Sequence, residues 1–432
     1  MATLPHAPIP TWTVDVDGRT FLRNGRKTFL LADTLWAAFS RMTDKEWEEA
    51  LRLRRRQGFN AVNVSMLPIP HDRSISGEVM QPFAVDGDGE WELTHLNDAY
   101  FERARRMVIH AQSQGVTPVV VVLWCNYAPG TWGAARTPET VMSQSATDDY
   151  VARAIDTLRG TGVIYAISGD DDLTSQEANA RYVRAGRQVR ASDPTALITM
   201  HTTPSAVMPA ELAQDDTFDF YAYQAGHDIG WFDRSIEMAA RYATLTPTRP
   251  VYSMEPAYEG HGWGAGAGRH DARSVRAASW AGLLGGATAG LGYAAHGSWS
   301  WHDPGSRFNG EAFSGTPLPA GRAMQLPGAW DVGMLRMIVE RENLFDLRTA
   351  NDLLVDDHAG AQFAINGDGT TAVAYLPHSF RLRVRHDLTD FDMQVWNLAE
   401  RRPDFVEREV IDGVTTVAQP DIIGDLIYIF KK

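Results

Sequence analysis

The sequence predicts a (β/α)8 TIM barrel followed by a small antiparallel β-sandwich. Three observations predict it. Eight apolar runs alternate with helix-forming segments over about 300 residues, the rhythm of parallel strands joined by crossovers. Several of the intervening segments carry helix start and stop signals. Beyond about residue 348 the rhythm changes to short alternating runs separated by turn residues. No Gly-rich phosphate loop follows the first run, which argues against an open doubly wound sheet.

Residues 1–27 read as an N-terminal arm and hairpin. After a Pro-rich start, residues 14–16 and 20–22 flank an Asp17-Gly18 turn, and Asn24-Gly25 makes a second turn. The barrel is expected over residues 28–347, with strands at 28–33, 61–66, 117–124, 163–168, 197–201, 219–224, 250–255 and 287–293. Thr43 and Glu46 form a capping box, with Trp47, Ala50 and Leu51 on one helix face and Gly58 as the stop. Phe101, Ala104, Val108 and Ala111 make a second stripe ended by Gly115. Ala178, Tyr182, Ala185 and Val189 make a third before Pro194. Residues 348–432 are the sandwich: 363–365 and 373–376 flank an Asn366-Gly367-Asp368-Gly369 turn, followed by runs at 381–384, 393–396 and 426–430.

Composition narrows the function. Hydrophobic residues make up 44% and charged residues 22%, as in an ordinary globular chain rather than a disordered one. A formal net charge of −14 is the wrong sign for a nucleic-acid partner, which needs a dense basic surface. Cys125 is the single cysteine, so neither an intramolecular disulfide nor a cysteine-rich metal site is expected. Residues 1–13 lack a basic start followed by an apolar run, and no stretch approaches the roughly 20 apolar residues of a membrane span. A cytoplasmic protein without membrane attachment is expected. The basic side chains are nearly all arginine, which fits a GC-rich bacterial genome.

In a barrel, chemistry sits where the strands end. Here seven of the eight ends are polar: Asp33-Thr34 with Trp36, then Trp124-Cys125-Asn126-Tyr127, Asp170-Asp171-Asp172, His201, Gln224 with His227, Glu255 with Tyr258 and Glu259, and His296 with Trp299. Cleaving an acetal needs a proton donor for the leaving oxygen and an anion for the oxocarbenium-like carbon, and two carboxyls of unequal pKa supply both. Asp170 and Glu255, three strands apart around the rim, are placed for this. Trp36, Tyr127, Tyr258 and Trp299 would stack on a sugar ring. Asn126, His201, Gln224 and His227 would bind hydroxyls, and Asp33, Glu259 and His296 complete the candidate set. Each residue alone has a plainer reading: an acidic run caps a helix, Asp33 fixes a turn, His227 is a structural hydrogen-bonder, and Trp299 packs. The coincidence at seven ends favours a binding site.

These stretches resemble the apiosidase-like glycoside hydrolases (glycoside hydrolase family 140 and relatives), a barrel often followed by a small β-sandwich. FLLADTLW resembles the opening strand, QGFNAVNV the second strand entry, ISGDDD the strand-4 segment and YQAGH the strand-6 Gln-x-Gly-His. MEPAYEG resembles the strand-7 motif, GYAAHGSW the eighth strand, and Gly424-Asp425 the residues before the last strand. The resemblance implies Asp170 as acid/base and Glu255 as nucleophile, with retention of configuration and no cofactor. Ser168 stands where the family has Gly, and Asp171 and Asp172 stand beside Asp170 as alternative acids. The resemblance further implies exo-acting release of a pentofuranose, such as apiose or arabinose, from a small glycoside or oligosaccharide. Glu259 would orient a hydroxyl or Tyr258. Without a secretion signal, a short glycoside taken into the cell is the expected substrate. Two rivals remain: a metal-dependent barrel hydrolase using His201, His227 and an Asp, which lacks the expected His-x-His, and a non-catalytic carbohydrate-binding barrel.

Overall fold

The computed structural model describes residues 9–75 and 77–432. The Pro-rich start at residues 1–8, part of the stretch read for a leader, lies outside them. Trp12–Val14 pairs antiparallel with Phe21–Arg23, and Arg26–Lys27 adds a third strand across Asn24-Gly25, whose φ angles are 52° and 74°. The first strand stops at Val14, short of the expected Val16. The Asp17 carboxylate accepts from the backbone N–H of Arg19 (2.8 Å) and Thr20 (3.0 Å) and draws the segment into its turn.

The eight expected runs all become parallel strands of one sheet. They are β1 (Leu30–Thr34), β2 (Ala61–Ser65), β3 (Thr117–Trp124), β4 (Ile164–Gly169), β5 (Ile198–Thr199), β6 (Tyr221–Gln224), β7 (Val251–Glu255) and β8 (Gly290–Tyr293). The order 5-4-3-2-1-8-7-6 is that of a barrel opened between β5 and β6. Isolated bonds bridge this seam: the Asp219 N–H donates to the Ile198 carbonyl (2.8 Å), and the Thr199 hydroxyl to the Phe220 carbonyl (2.7 Å). The strands are buried on both faces, which is why their sequences read as continuous apolar runs rather than alternating ones.

The helices follow their signals. Thr43 Oγ1 accepts from the Glu46 N–H (3.3 Å) while the Glu46 carboxylate accepts from the Thr43 N–H (2.7 Å), and Asp44–Arg56 buries Trp47, Ala50 and Leu51. The chain between β2 and its helix is less legible. Arg73–Ser74 pairs with Phe308–Asn309 from the segment after β8, and Phe83–Val85 pairs with Trp91–Leu96.

After the barrel, six antiparallel strands form a sheet in the order Leu347–Thr349, Gln362–Asn366, Thr371–Leu376, Leu426–Lys431, Asp392–Asn397 and Arg402–Asp404. Val373, Tyr375, Ile427 and Ile429 pack on the helices Ala272–Gly285 and Gly328–Glu342. From the opposite face, Ala372, Ala374, Tyr428 and Phe430 share a core with Leu382, Val384 and Val417 of a three-stranded sheet. The central strands are therefore apolar on both sides. No helix among the described residues is long and apolar enough to cross a membrane.

One buried ion cluster fastens this sheet to the barrel. Arg276, on the barrel's last crossover helix, donates to both Asp425 oxygens (2.7 and 2.9 Å) and to Asp331 (3.0 Å). Both carboxylates are fully buried, and removing one partner strands a charge at a cost of about 3–5 kcal/mol. The Asp425→Ala variant should lose stability on that scale in urea unfolding; a change below about 1 kcal/mol would show the clamp is dispensable.

Candidate active site

Glu255 closes β7 and is 6% exposed. Burying a carboxylate is costly unless cations or donors face it. Here two imidazoles do. His227 Nε2 lies 3.1 Å from Oε1, and His201 Nε2 lies 3.2 Å from Oε2, the second approach being too oblique for a regular hydrogen bond. Burial alone would raise the Glu255 carboxyl, but the interactions with His201 and His227 outweigh it and hold the group well below the usual carboxylate range. Glu255 is therefore an anion.

The protons on His201 follow from its partners. Its Nδ1 accepts the backbone N–H of Asp170 (3.1 Å), so the neutral ring carries its hydrogen on Nε2, facing Glu255. This one side chain ties the ends of β4 and β7 together.

Asp170 follows β4 in a left-handed conformation with φ 52°, which Asp tolerates better than most residues. Three contacts hold it: His201 at its N–H, the Trp132 indole N–H on its carbonyl (2.8 Å), and the Gln224 amide on Oδ1 (3.3 Å). Gly169 before it lies against Trp124, where a Cβ would stand 2.3 Å from the indole ring. Burial first, and then the Glu255, Asp72 and Asp171 charges, push the Asp170 carboxyl well above its ordinary value. The neighbouring acids are engaged elsewhere. Asp171 is buried and accepts from the Tyr182 hydroxyl (2.6 Å) and the Leu173 N–H (2.7 Å), while Asp172 accepts from the Thr174 N–H (3.0 Å) and hydroxyl (2.7 Å).

Asp170 and Glu255 line one cavity. Trp36, Trp124 and Trp299 wall it with Ile69 and Tyr258, and His71, Asp72, His227 and His261 also face it. Its free space is about 40 Å³, and it continues into a vestibule of about 370 Å³ bounded by Trp132, Arg136, Gln224, Glu311 and Phe313. Several buried polar atoms of these walls have no partner among the described residues: Trp124 Nε1, Trp299 Nε1, Tyr258 Oη, His227 Nδ1 and Asp72 Oδ1. A larger cavity of about 620 Å³, between the helix Asp44–Arg56 and residues 301–325, contains neither Asp170 nor Glu255.

Of the expected site residues, Trp36, Asp170, Gln224, His227, Glu255, Tyr258 and Trp299 meet at the cavity and vestibule. His201 stands behind Glu255. The other five line neither the cavity nor the vestibule. Asp33 points outward, its Oδ2 2.7 Å from Arg54 Nε. Asn126 is buried, donating to the Gly133 carbonyl (3.2 Å) and Thr137 hydroxyl (2.9 Å) and facing His71 Nδ1 at 2.8 Å. The Tyr127 hydroxyl donates to the Pro68 carbonyl (2.9 Å). Glu259 accepts from the Tyr293 hydroxyl (2.7 Å) and from the Gly328 N–H (2.9 Å) at a helix start, where a carboxylate is favoured. His296 donates to the Gly315 carbonyl (2.8 Å) one layer behind His261, and burial pushes it down to about 3.

Sequence reasoning missed His71, Asp72, Trp124, Trp132 and His261 as cavity or vestibule residues. Trp124 stood in a strand-end motif already quoted. Asp72 follows Pro68-Ile69-Pro70, well past the end of β2, where strand-end logic does not reach. Among the described residues no group of three His, Cys, Asp or Glu side chains is arranged to hold a metal ion.

The family model described as Apiosidase-like, catalytic domain matches residues 16–346. The chain belongs to the apiosidase-like family. It is a glycoside hydrolase. No curated protein matches it. A solved structure titled glycoside hydrolase shares 16% identity over 98% of this chain and 97% of that one, with a TM-score of 0.79. A glycoside hydrolase family 5 protein from Bacteroides vulgatus matches at 16% identity over 98% and 93%, again with a TM-score of 0.79. An α-amylase from Lactobacillus plantarum is more distant: 12% identity, 93% and 98% coverage, TM-score 0.54. These likenesses show the fold.

The two carboxyls of this apiosidase-like hydrolase are shifted in opposite directions. If Asp170 works as an acid, activity falls as pH rises through its raised pKa, and if Glu255 works as an anion, the acid limb lies below the ordinary carboxylate range. The kcat/KM profile should therefore be broad, with its alkaline limb well above the ordinary carboxylate range. Asp170→Asn, assayed on an activated aryl glycoside, should remove the alkaline limb; an unchanged limb would contradict the assignment.

Proposed function

We propose that this hydrolase is a retaining, exo-acting glycosidase that releases a pentofuranose, such as apiose or an arabinofuranose, from a small glycoside. Glu255 attacks the anomeric carbon while Asp170 protonates the leaving oxygen. Asp170 then takes a proton from water as the water displaces Glu255. The observation that carries this reading is the pair itself: two carboxyls in one cavity, one held below the usual carboxylate range by two imidazoles and one raised well above it by burial and by that anion.

The cavity supports the exo-acting part. Side chains from six strand ends and from the segment after β2 surround it, a shape that favours binding the end of a chain. The small inner volume favours a compact terminal sugar. His201 and His227 keep Glu255 ionised, and Gln224 holds Asp170 beside it.

The test is a panel of 4-nitrophenyl pentofuranosides and pyranosides, with the first-formed anomer followed by NMR. Release of the substrate's own anomer from a furanoside is expected; an inverted product or a preference for hexopyranosides would overturn the reading. Glu255→Gln should lower kcat by at least about a thousandfold with the fold intact. Asp170→Ala should slow poor leaving groups far more than nitrophenol, since only the former need the proton. Equal loss on both would remove Asp170 from its role.

A further inference from the structure

The segment after β2 crosses the barrel mouth and brings His71 and Asp72 to the wall of the cavity that holds Asp170 and Glu255. It is firmly held. The Pro68 carbonyl takes the Tyr127 hydroxyl (2.9 Å), the Leu67 carbonyl takes the Ser65 hydroxyl (2.5 Å), and Ser74 Oγ bonds His302 Nδ1 (2.7 Å). Arg73–Ser74 is laddered to Phe308–Asn309. Asn126 and Tyr127, which sequence reasoning placed on the sugar, instead support this segment.

That support fixes what His71 can do. The Asn126 amide donates to Gly133 and Thr137, so its Oδ1 must accept from His71 Nδ1 (2.8 Å). The hydrogen sits on Nδ1 and Nε2 is left as an acceptor. Burial pushes the ring down to about 4, so it is neutral at pH 7. The imidazole is steadied edge-on against Trp132, with ring centres 4.7 Å apart.

Asp72 presents the complementary group. It borders the inner cavity, the vestibule and a crevice behind Trp36. Its Oδ1 is buried without a partner among the described residues, against the backbone of Gly310, where a Cβ would come within 2.1 Å. Burial, then the Glu311 and Glu255 charges, raise this carboxyl well above its ordinary value. A buried polar atom left unpaired is costly, and its neighbours Trp36, Ile69 and Trp299 offer little compensation.

We propose that His71 and Asp72 form a recognition pair, separate from Asp170 and Glu255, that hydrogen-bonds two adjacent hydroxyls of a neutral glycone and sets which sugar is accepted. His71 Nε2 accepts one hydroxyl hydrogen, and Asp72 bonds the neighbouring hydroxyl. The Glu255 anion in the same cavity disfavours a uronic acid. The inference rests on the glycosidase mechanism proposed above.

The experiment takes the 4-nitrophenyl pentoside that the wild type hydrolyses fastest, together with its mono-deoxy analogues. Asp72→Ala and His71→Ala should each lower kcat/KM by about 10- to 100-fold, and Asp72→Asn, which keeps a donor and an acceptor, should recover most of it. One mono-deoxy substrate should lose the same factor on the wild type and little more on Asp72→Ala, a coupling that a merely structural role would not produce. Wild-type kcat/KM in Asp72→Ala, or equal Asp72→Ala losses on parent and deoxy substrates, would overturn the pair. Binding gives a second readout: tryptophan fluorescence of Glu255→Gln titrated with D-apiose and L-arabinose should show weaker binding when Asp72→Ala is added, and unchanged binding would overturn it. If Glu255→Gln keeps near-normal activity, the mechanism fails; if it is inactive while Asp72→Ala is unaffected, only the pair fails.

Discussion

The site depends on an anion kept inside a protein wall. Glu255 is nearly out of contact with water, and an uncompensated carboxylate there would cost several kcal/mol. His201 and His227, approaching its two oxygens from strands β5 and β6, offset that cost. The rest of the electrostatics follows. Because Glu255 stays charged, Asp170 in the same cavity is discouraged from ionising, so two carboxyls of similar intrinsic acidity become an anion and an acid.

The same histidine supplies the geometry. His201 receives the Asp170 N–H on one nitrogen and faces Glu255 with the other, so position and charge are set by one ring. Trp132 and Gln224 complete the hold on Asp170, whose left-handed backbone is thus over-determined. Such preorganisation leaves little to rearrange when substrate arrives. It also gives structural work to side chains of catalytic appearance: Asn126, Tyr127 and Glu259 orient a loop or cap a helix.

The barrel was legible because its strands are buried on both faces, and continuous runs such as residues 117–124 have no other comfortable conformation. Glu255 was legible for the same reason, as a charge at the end of such a run. Asp33 looked equivalent and is not. A strand's last side chain points either to the barrel mouth or to the surrounding helices, and Arg54, which decides the matter, is contributed by the next helix. The distinction among Asp170, Asp171 and Asp172 likewise rests on Tyr182, a helical residue no local pattern associates with them. Asp72 was hidden by distance from its strand: a Pro-rich connection reads as loop, and its place over the mouth is set by pairing with residues after β8. The sheet beyond the barrel was visible in its turns, but not the second apolar face that packs on the helix carrying Arg276.

In the proposed mechanism Glu255 forms the bond to the sugar. An activated 2-deoxy-2-fluoro pentofuranoside, which slows release of the intermediate, tests it directly by intact-mass and peptide mass spectrometry. A single covalent pentosyl adduct is expected on the peptide containing Glu255, formed with loss of activity and absent in Glu255→Gln. An adduct on the peptide bearing Asp170 or Asp72, or inactivation with no covalent label, would contradict it.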